Sequence, residues 1–147
     1  MKVGIGCDHA AIDMKNAVRD HLKEEGYDVV DYGAQDPNVS VDYPVIAKAV
    51  GFDVADGKLD RGILICGTGI GMSLAANKIK GIRCAVLSDT YSARLTVEHN
   101  DSNMMSMGAR VIGVELAKDV ADAFLKTVCP HEEKHEKRLA MIRELEN

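Results

Sequence analysis

The chain reads as an α/β protein, because short apolar, β-branched runs alternate along it with stretches of helical periodicity. The runs are apolar throughout rather than alternating with polar residues, as in strands buried on both faces of a parallel sheet. The expected architecture is therefore a three-layer α/β/α, Rossmann-like domain with a five-stranded parallel sheet and right-handed crossovers. Length and composition agree. With 147 residues, 46% of them hydrophobic, the chain suits one core that buries about 70% of the surface of the unfolded chain. One domain over residues 1–147 is the expectation, with 131–147 as a C-terminal helix able to act as a dimer arm.

The elements follow in order. Lys2–Cys7 is the first expected strand, and Ala11, Met14, Val18 and Leu22 then recur at helical spacing until Gly26 stops the helix. Tyr27–Tyr32 is the second strand. Pro44 suits a first helical turn, so the second helix starts there and runs through Ile46, Ala49 and Val50 to about Gly57. Arg61–Cys66 is the third strand, followed by a helix that begins after Gly71 and halts at Gly81. Arg83–Leu87 is the fourth. Ser88-Asp89-Thr90 offers caps for a helix that ends near His99-Asn100, where Asn suits a C-cap and a cationic His the dipole. Arg110–Val114 reads as the fifth strand, and Leu116, Val120 and Phe124 mark the helix after it. Pro130 breaks the chain. From His131 to Leu145 the residues Leu139, Ile142 and Leu145 form one stripe on a highly charged helix.

Composition excludes several classes of function. Eighteen Lys and Arg against 23 Asp and Glu leave a charge of −5, and there is no Trp, which argues against a general nucleic-acid surface. Apolar stretches such as Gly62–Gly67 fall far short of the roughly 20 residues that span a bilayer. The N-terminus turns polar at Cys7-Asp8-His9 before any signal-peptide core forms, so a cytoplasmic protein without membrane contact is expected. Cys7, Cys66, Cys84 and Cys129 form no C-x-x-C pair, so reduced thiols are expected, three of them as packing residues.

Parallel α/β sheets bind ligands beyond the carboxyl ends of their strands. That places Cys7-Asp8-His9, Cys66-Gly67-Thr68 and Ser88-Asp89 at the functional end. Cys66-Gly67-Thr68-Gly69-Ile70-Gly71 is the strongest feature, because its three glycines free backbone N–H groups at a helix start to cradle an anion. Cys66 beside that helix start is placed where a thiolate is stabilised below its free value of about 8.5, which makes it a candidate base or nucleophile. Neither glycine run completes a dinucleotide fingerprint, and no Walker Lys-Ser/Thr pair follows. Asp8 and His9 sit at the mouth of the first strand, with His9 a candidate phosphate ligand or acid/base. His131-Glu132-Glu133-Lys134-His135 matches the H-E-x-x-H zinc pattern, but right after Pro130 on a charged terminal helix it reads as a solvated face, so no metal is expected.

Taken together, Gly6-Cys7-Asp8-His9, Asp42-Tyr43-Pro44, Gly62 through Lys78, His99-Asn100-Asp101 and Gly108-Ala109-Arg110 resemble type B ribose-5-phosphate isomerase of the ribose/galactose isomerase family. The resemblance covers nearly the whole chain. It implies aldose–ketose isomerisation of a phosphorylated sugar through a cis-enediolate, with no metal or organic cofactor, in a homodimer or dimer of dimers. By that resemblance Cys66 moves the proton between C1 and C2, Thr68 assists, and the backbone amides of Gly67, Gly69 and Gly71 hold the oxyanion. Asp8 binds sugar hydroxyls, Tyr43 walls the pocket, His99 opens the furanose ring and Asn100 binds sugar or enediolate oxygens. His9, Arg110 and Arg138 match the phosphate end, and Lys134 stands where the family commonly has arginine. Glu132-Glu133 replace the family's usual glycines, closer to the B subunit of galactose-6-phosphate isomerase. That subunit lacks the His99-Asn100 pair, so a chain with both Cys66 and His99 is expected to be self-sufficient as a homo-oligomer.

Overall fold

A computed structural model describes residues 1–146, so Asn147, the last residue of the expected domain, lies outside the described residues. The chain runs β1 (Lys2–Cys7), α1 (Ile12–Glu24), β2 (Asp28–Asp31), α2 (Tyr43–Ala55), β3 (Arg61–Cys66), α3 (Ile70–Ala76), β4 (Cys84–Val86), α4 (Thr90–Asn100), β5 (Met104–Gly108), α5 (Val114–Lys126) and α6 (Glu133–Arg143). The five strands pair in parallel in the order β2-β1-β3-β5-β4. This is the α/β sheet expected from the apolar runs. Strand order reverses between β1 and β3, which opens a crevice at their carboxyl ends.

Period-two side chains divide the core between the two faces of the sheet. Ile63, Ile65, Met105 and Met107 point to one face and pack with Val18 and Leu22 of α1, Val97 of α4, and Val120 and Phe124 of α5. Leu64, Cys66 and Met104 point to the other, against Ala47 and Val50 of α2 and Met72 and Ala76 of α3. Each large apolar side chain fully buried in this way stabilises the fold by about 1.5–3 kcal/mol. Burial pushes the Cys7 thiol up to about 11 and the Cys84 thiol up to about 12, so both are neutral packing groups near pH 7. All four cysteines are free.

Four expectations need correction. The fifth strand is Met104–Gly108 rather than Arg110–Val114. A run rich in methionine lacks the β-branched signature, yet Met104, Met105 and Met107 are fully buried on both faces. Beyond it the chain turns, with the Val111 and Ile112 N–H groups both donating to the Gly108 carbonyl, and Val114 already starts α5. The buried stripe of α5 is Ala117, Val120, Ala121 and Phe124, and Leu116 is 39% exposed. Helix α3 starts before Gly71 and stops at Ala76, because the Asn77 side chain bonds both the N–H and the carbonyl of Cys84 and draws the chain towards β4. Along α6, Leu139 is 1% exposed against α4, whereas Ile142 and Leu145 are 41% and 84% exposed. Elsewhere the differences are of one or two residues: β2 and β4 are shorter than expected, although Tyr32 and Leu87 extend their ladders by one N–H···O bond each.

Candidate active site

Cys66 ends β3 at the bottom of the crevice and is buried. The next residues must leave the sheet and enter α3 at once, and Gly69 makes this possible with φ +80° at the N-cap. A Cβ there would lie 2.9 Å from the Met107 carbonyl carbon, so the loop rests directly on β5. The turn aims the Gly69 N–H at the Cys66 sulfur, 3.1 Å away. From below, the buried Ser106 hydroxyl donates to the Gly69 carbonyl at 2.8 Å and holds the turn in place. Thr68 is exposed on the rim, with its Oγ1 accepting the Ile70 N–H.

Neighbouring elements close on this loop. Tyr43, the first residue of α2, lies over Gly71 so closely that a Cβ there would sit 2.8 Å from the ring Cζ. Arg110 follows β5, and its backbone N–H donates to the Gly67 carbonyl. Its guanidinium lies against Gly67, where Nη1 would be 3.3 Å from a Cβ. Relocating the fifth strand therefore moves Arg110 to the functional end of the sheet. Among the described residues no carboxylate forms a salt bridge with it. Asp8 leaves β1 with Oδ1 accepting the Ala10 N–H. His9 Nδ1 accepts the Val41 N–H at 3.1 Å, which puts the neutral ring's proton on Nε2. His9 also lines a cavity of about 690 Å³ together with Gln35, Pro37, Ala109, Ile112 and Gly113. The first residues of α1, Asp13 among them, and of α5 border that cavity, and the positive ends of two helix dipoles favour an anion there.

The remaining expected site residues lie elsewhere. His99 and Asn100 end α4, just before Met104 enters β5 opposite Gly62, whereas Cys66 pairs with Gly108 at the far end of the same two strands. Four residues of strand rise put about 13 Å between the two ends of the sheet. His99 stacks on His135 of α6, with ring centroids 4.3 Å apart and planes 17° from parallel. Burial lowers the His135 pKa, and electrostatic interaction with His99 and Lys134 lowers it further against the opposing pull of Glu132. Lys134 Nζ binds Glu132 Oε2 at 2.9 Å. The expected site residues thus fall into two groups at opposite ends of the sheet. Asp8, His9, Tyr43, Cys66, Gly67, Thr68, Gly69, Gly71 and Arg110 form one, and His99, Asn100, Lys134 and Arg138 form the other.

The expected solvated H-E-x-x-H face also differs. His131 and Glu132 precede α6, and His131 has φ +52°, so His131 and His135 do not share a helix face. His135 is buried against His99 instead of solvated. Sequence reasoning passed over Ser106 and the Val41 N–H, and placed His135 only on a solvated face. A signal for the burial of His135 was visible, since it stands four residues before the apolar Leu139 on the packed face of α6.

The chain resembles known proteins in sequence and in fold. The family model described as Ribose/Galactose Isomerase matches residues 3–142. Ribose-5-phosphate isomerase B of Escherichia coli is 48% identical over 124 residues, 84% of this chain and 83% of that protein. D-erythrulose-4-phosphate isomerase of Pectobacterium atrosepticum is 46% identical over 125 residues, 85% of this chain and 82% of that protein. The structure of Clostridium thermocellum ribose-5-phosphate isomerase B superimposes with a TM-score of 0.96 at 46% identity, covering 99% of this chain and 97% of that one. By its matched length, its fold and its relatives, the chain belongs to the ribose/galactose isomerase family.

Proposed function

We propose that the protein interconverts an aldose phosphate and its ketose phosphate, with ribose 5-phosphate and ribulose 5-phosphate as the substrate pair. The observation that carries this reading is the Gly69 N–H on the Cys66 sulfur, at a helix start that can also hold an oxyanion. In the aldose-to-ketose direction, Cys66 removes the C2 proton as a thiolate. The electron pair forms the C1–C2 double bond of a cis-enediolate, and the carbonyl oxygen takes up the negative charge beside the amides of Gly67, Gly69 and Gly71. Moving the hydroxyl proton from O2 to O1 and returning the carbon-bound proton from Cys66 to C1 completes the ketose. Thr68 and Asp8 hold sugar hydroxyls, and Tyr43 walls the pocket. His9 Nε2 and Arg110 serve the phosphate end.

His99, about a sheet's height from Cys66, can act on the same sugar only from a second copy of the chain. We therefore read the protein as a homodimer, alone or within a dimer of dimers, in which the partner's half-site adds His99 for ring opening, Asn100 for oxygen binding, and Lys134 and Arg138 for phosphate. Ile70 and Leu74 on α3, 55% and 63% exposed beside the Cys66 loop, support such a contact. No helix among the described residues is long and apolar enough to cross a membrane, and the free thiols fit a cytoplasmic enzyme. The Lys134–Glu132 pair at the phosphate end favours a second reading of the substrate, a sugar phosphate of another chain length. Turnover by EDTA-treated protein on a panel of tetrose, pentose and hexose phosphates tests both readings. Fastest conversion of ribose 5-phosphate supports the first and of another sugar the second, whereas binding without conversion refutes the isomerase itself.

A further inference from the structure

Outside both groups of site residues, three side chains with metal-ligating atoms converge where the chain passes from α5 to α6. Cys129 Sγ, His131 Nδ1 and Glu136 Oε1 all lie within 4.8 Å of one another. The sulfur is 3.8 Å from Nδ1, and Nδ1 is 2.9 Å from Oε1. Around a tetrahedral zinc ion with ordinary bond lengths, the corresponding edges are about 3.6 Å and about 3.3 Å. Two of the three edges thus lie within a few tenths of an ångström of zinc geometry, and the third, sulfur to carboxylate, closes from at most 4.8 Å to about 3.6 Å through side-chain rotation of the partly exposed Glu136. We infer that Cys129, His131 and Glu136 bind a zinc ion through one thiolate, one imidazole and one carboxylate, with solvent in the fourth position.

The backbone is arranged for this set. His131 is one of two non-glycine residues with positive φ among those described, and at +52° the strained turn carries its imidazole back towards Cys129, two residues earlier. Glu136 reaches the same point from the first turns of α6. Cys129 is 7% exposed and its thiol hydrogen-bonds the Glu98 carbonyl, so the sulfur is sheltered but borders the exposed imidazole through which an ion can enter. A sulfur–imidazole–carboxylate set suits zinc better than magnesium or calcium, which prefer oxygen alone. Binding replaces the His131–Glu136 hydrogen bond and releases the thiol proton of Cys129 to solvent. The ion then ties the segment after α5 to the first turns of α6. The donors differ from the H-E-x-x-H pair, because His135 is turned away onto His99.

The test uses reduced, EDTA-treated full-length protein titrated with Co2+ as a spectroscopic probe, followed by displacement with Zn2+. A sulfur-to-cobalt charge-transfer band in the near ultraviolet and intense tetrahedral visible bands are expected, and zinc should abolish them and raise Tm. Glu136→Gln and His131→Gln, whose side chains are at least partly exposed, should each weaken Co2+ binding by on the order of 10- to 100-fold with unchanged circular dichroism. Cys129→Ser should remove the charge-transfer band. His135→Gln should leave the bands as they are, whereas their loss in that variant would assign the metal to the H-E-x-x-H pair and overturn the proposal. Absence of a sulfur band in the wild type, or equal Co2+ affinity in wild type, His131→Gln and Glu136→Gln, would overturn it as well. Should Cys129→Ser fail to fold, the two exposed variants decide the matter.

Discussion

The Gly69 N–H points at the Cys66 sulfur from 3.1 Å, across a turn that only a residue comfortable at φ +80° can make. In the proposed reaction the contact joins the base to the loop that holds the developing oxyanion, so loss of the thiol should affect chemistry far more than folding. Cys66→Ala is expected to lower kcat by about 10²–10⁴ with substrate binding and the unfolding midpoint nearly unchanged. Near-full turnover by the folded variant on open-chain sugar would remove Cys66 from the role of base.

Ring opening separates the work of His99 from that of Cys66. His99→Asn should slow conversion of the cyclic sugar by about 10²-fold and that of an open-chain aldose phosphate much less. Stopped-flow measurements on both substrate forms decide this, and equal losses would take ring opening away from His99.

The phosphate end makes a prediction about substrate choice. Lys134 offers a point charge shared with Glu132, whereas arginine would offer a planar fork. Lys134→Ala should raise KM by about tenfold with little change in kcat, and Lys134→Arg should change KM unequally across sugars of different length. Unchanged KM for Lys134→Ala across the panel would show that the lysine does not contact phosphate.

A stability prediction concerns Lys15, whose side chain is fully buried with its Nζ 2.8 Å from Asp31. Burial pushes the Asp31 carboxyl up, but hydrogen bonds from Lys15, Arg19 and the Gly33 N–H outweigh it and hold the pKa below the usual carboxylate range. Because the folded value is the lower one, the stabilisation is complete above the unfolded pKa of about 3.9 and is lost as pH falls through the folded value. Asp31→Asn leaves the ammonium buried without its anion and should cost about 3–5 kcal/mol at pH 7, whereas Lys15→Met should cost much less. Urea unfolding at pH 7 and pH 3 should show the gap between wild type and Asp31→Asn narrowing in acid. A gap that widens would contradict the sign.

How far the sequence reveals this molecule depends on what each residue needs from its neighbours. Lys2–Cys7 and Arg61–Cys66 were legible to the residue, because central parallel strands show continuous apolar runs that end in polar turns. The methionine-rich β5 was not, since unbranched side chains carry no strand signature, and the Val-Ile pair after Arg110 imitated one. Gly67 to Gly71 marked a functional loop by composition alone. The two groups of site residues did not show as such, because no local pattern records that His99 and Cys66 stand at opposite ends of a sheet. The strand register is the physical reason for proposing that they meet across two chains. His135 was read as solvated because its partner, His99, lies on another helix.

Subunit mixing tests the shared site most directly. Cys66→Ala and His99→Asn proteins, each inactive on the cyclic sugar, are dissociated reversibly, combined and reassociated, and mixed dimers are isolated by differential tagging. In a mixed dimer one site carries both lesions and the other carries neither, so activity should return to roughly half that of wild type per dimer, in keeping with the all-or-none behaviour of cooperating catalytic groups. Verified mixed dimers as inactive as their parents would place Cys66 and His99 in the same site of one chain and contradict the account.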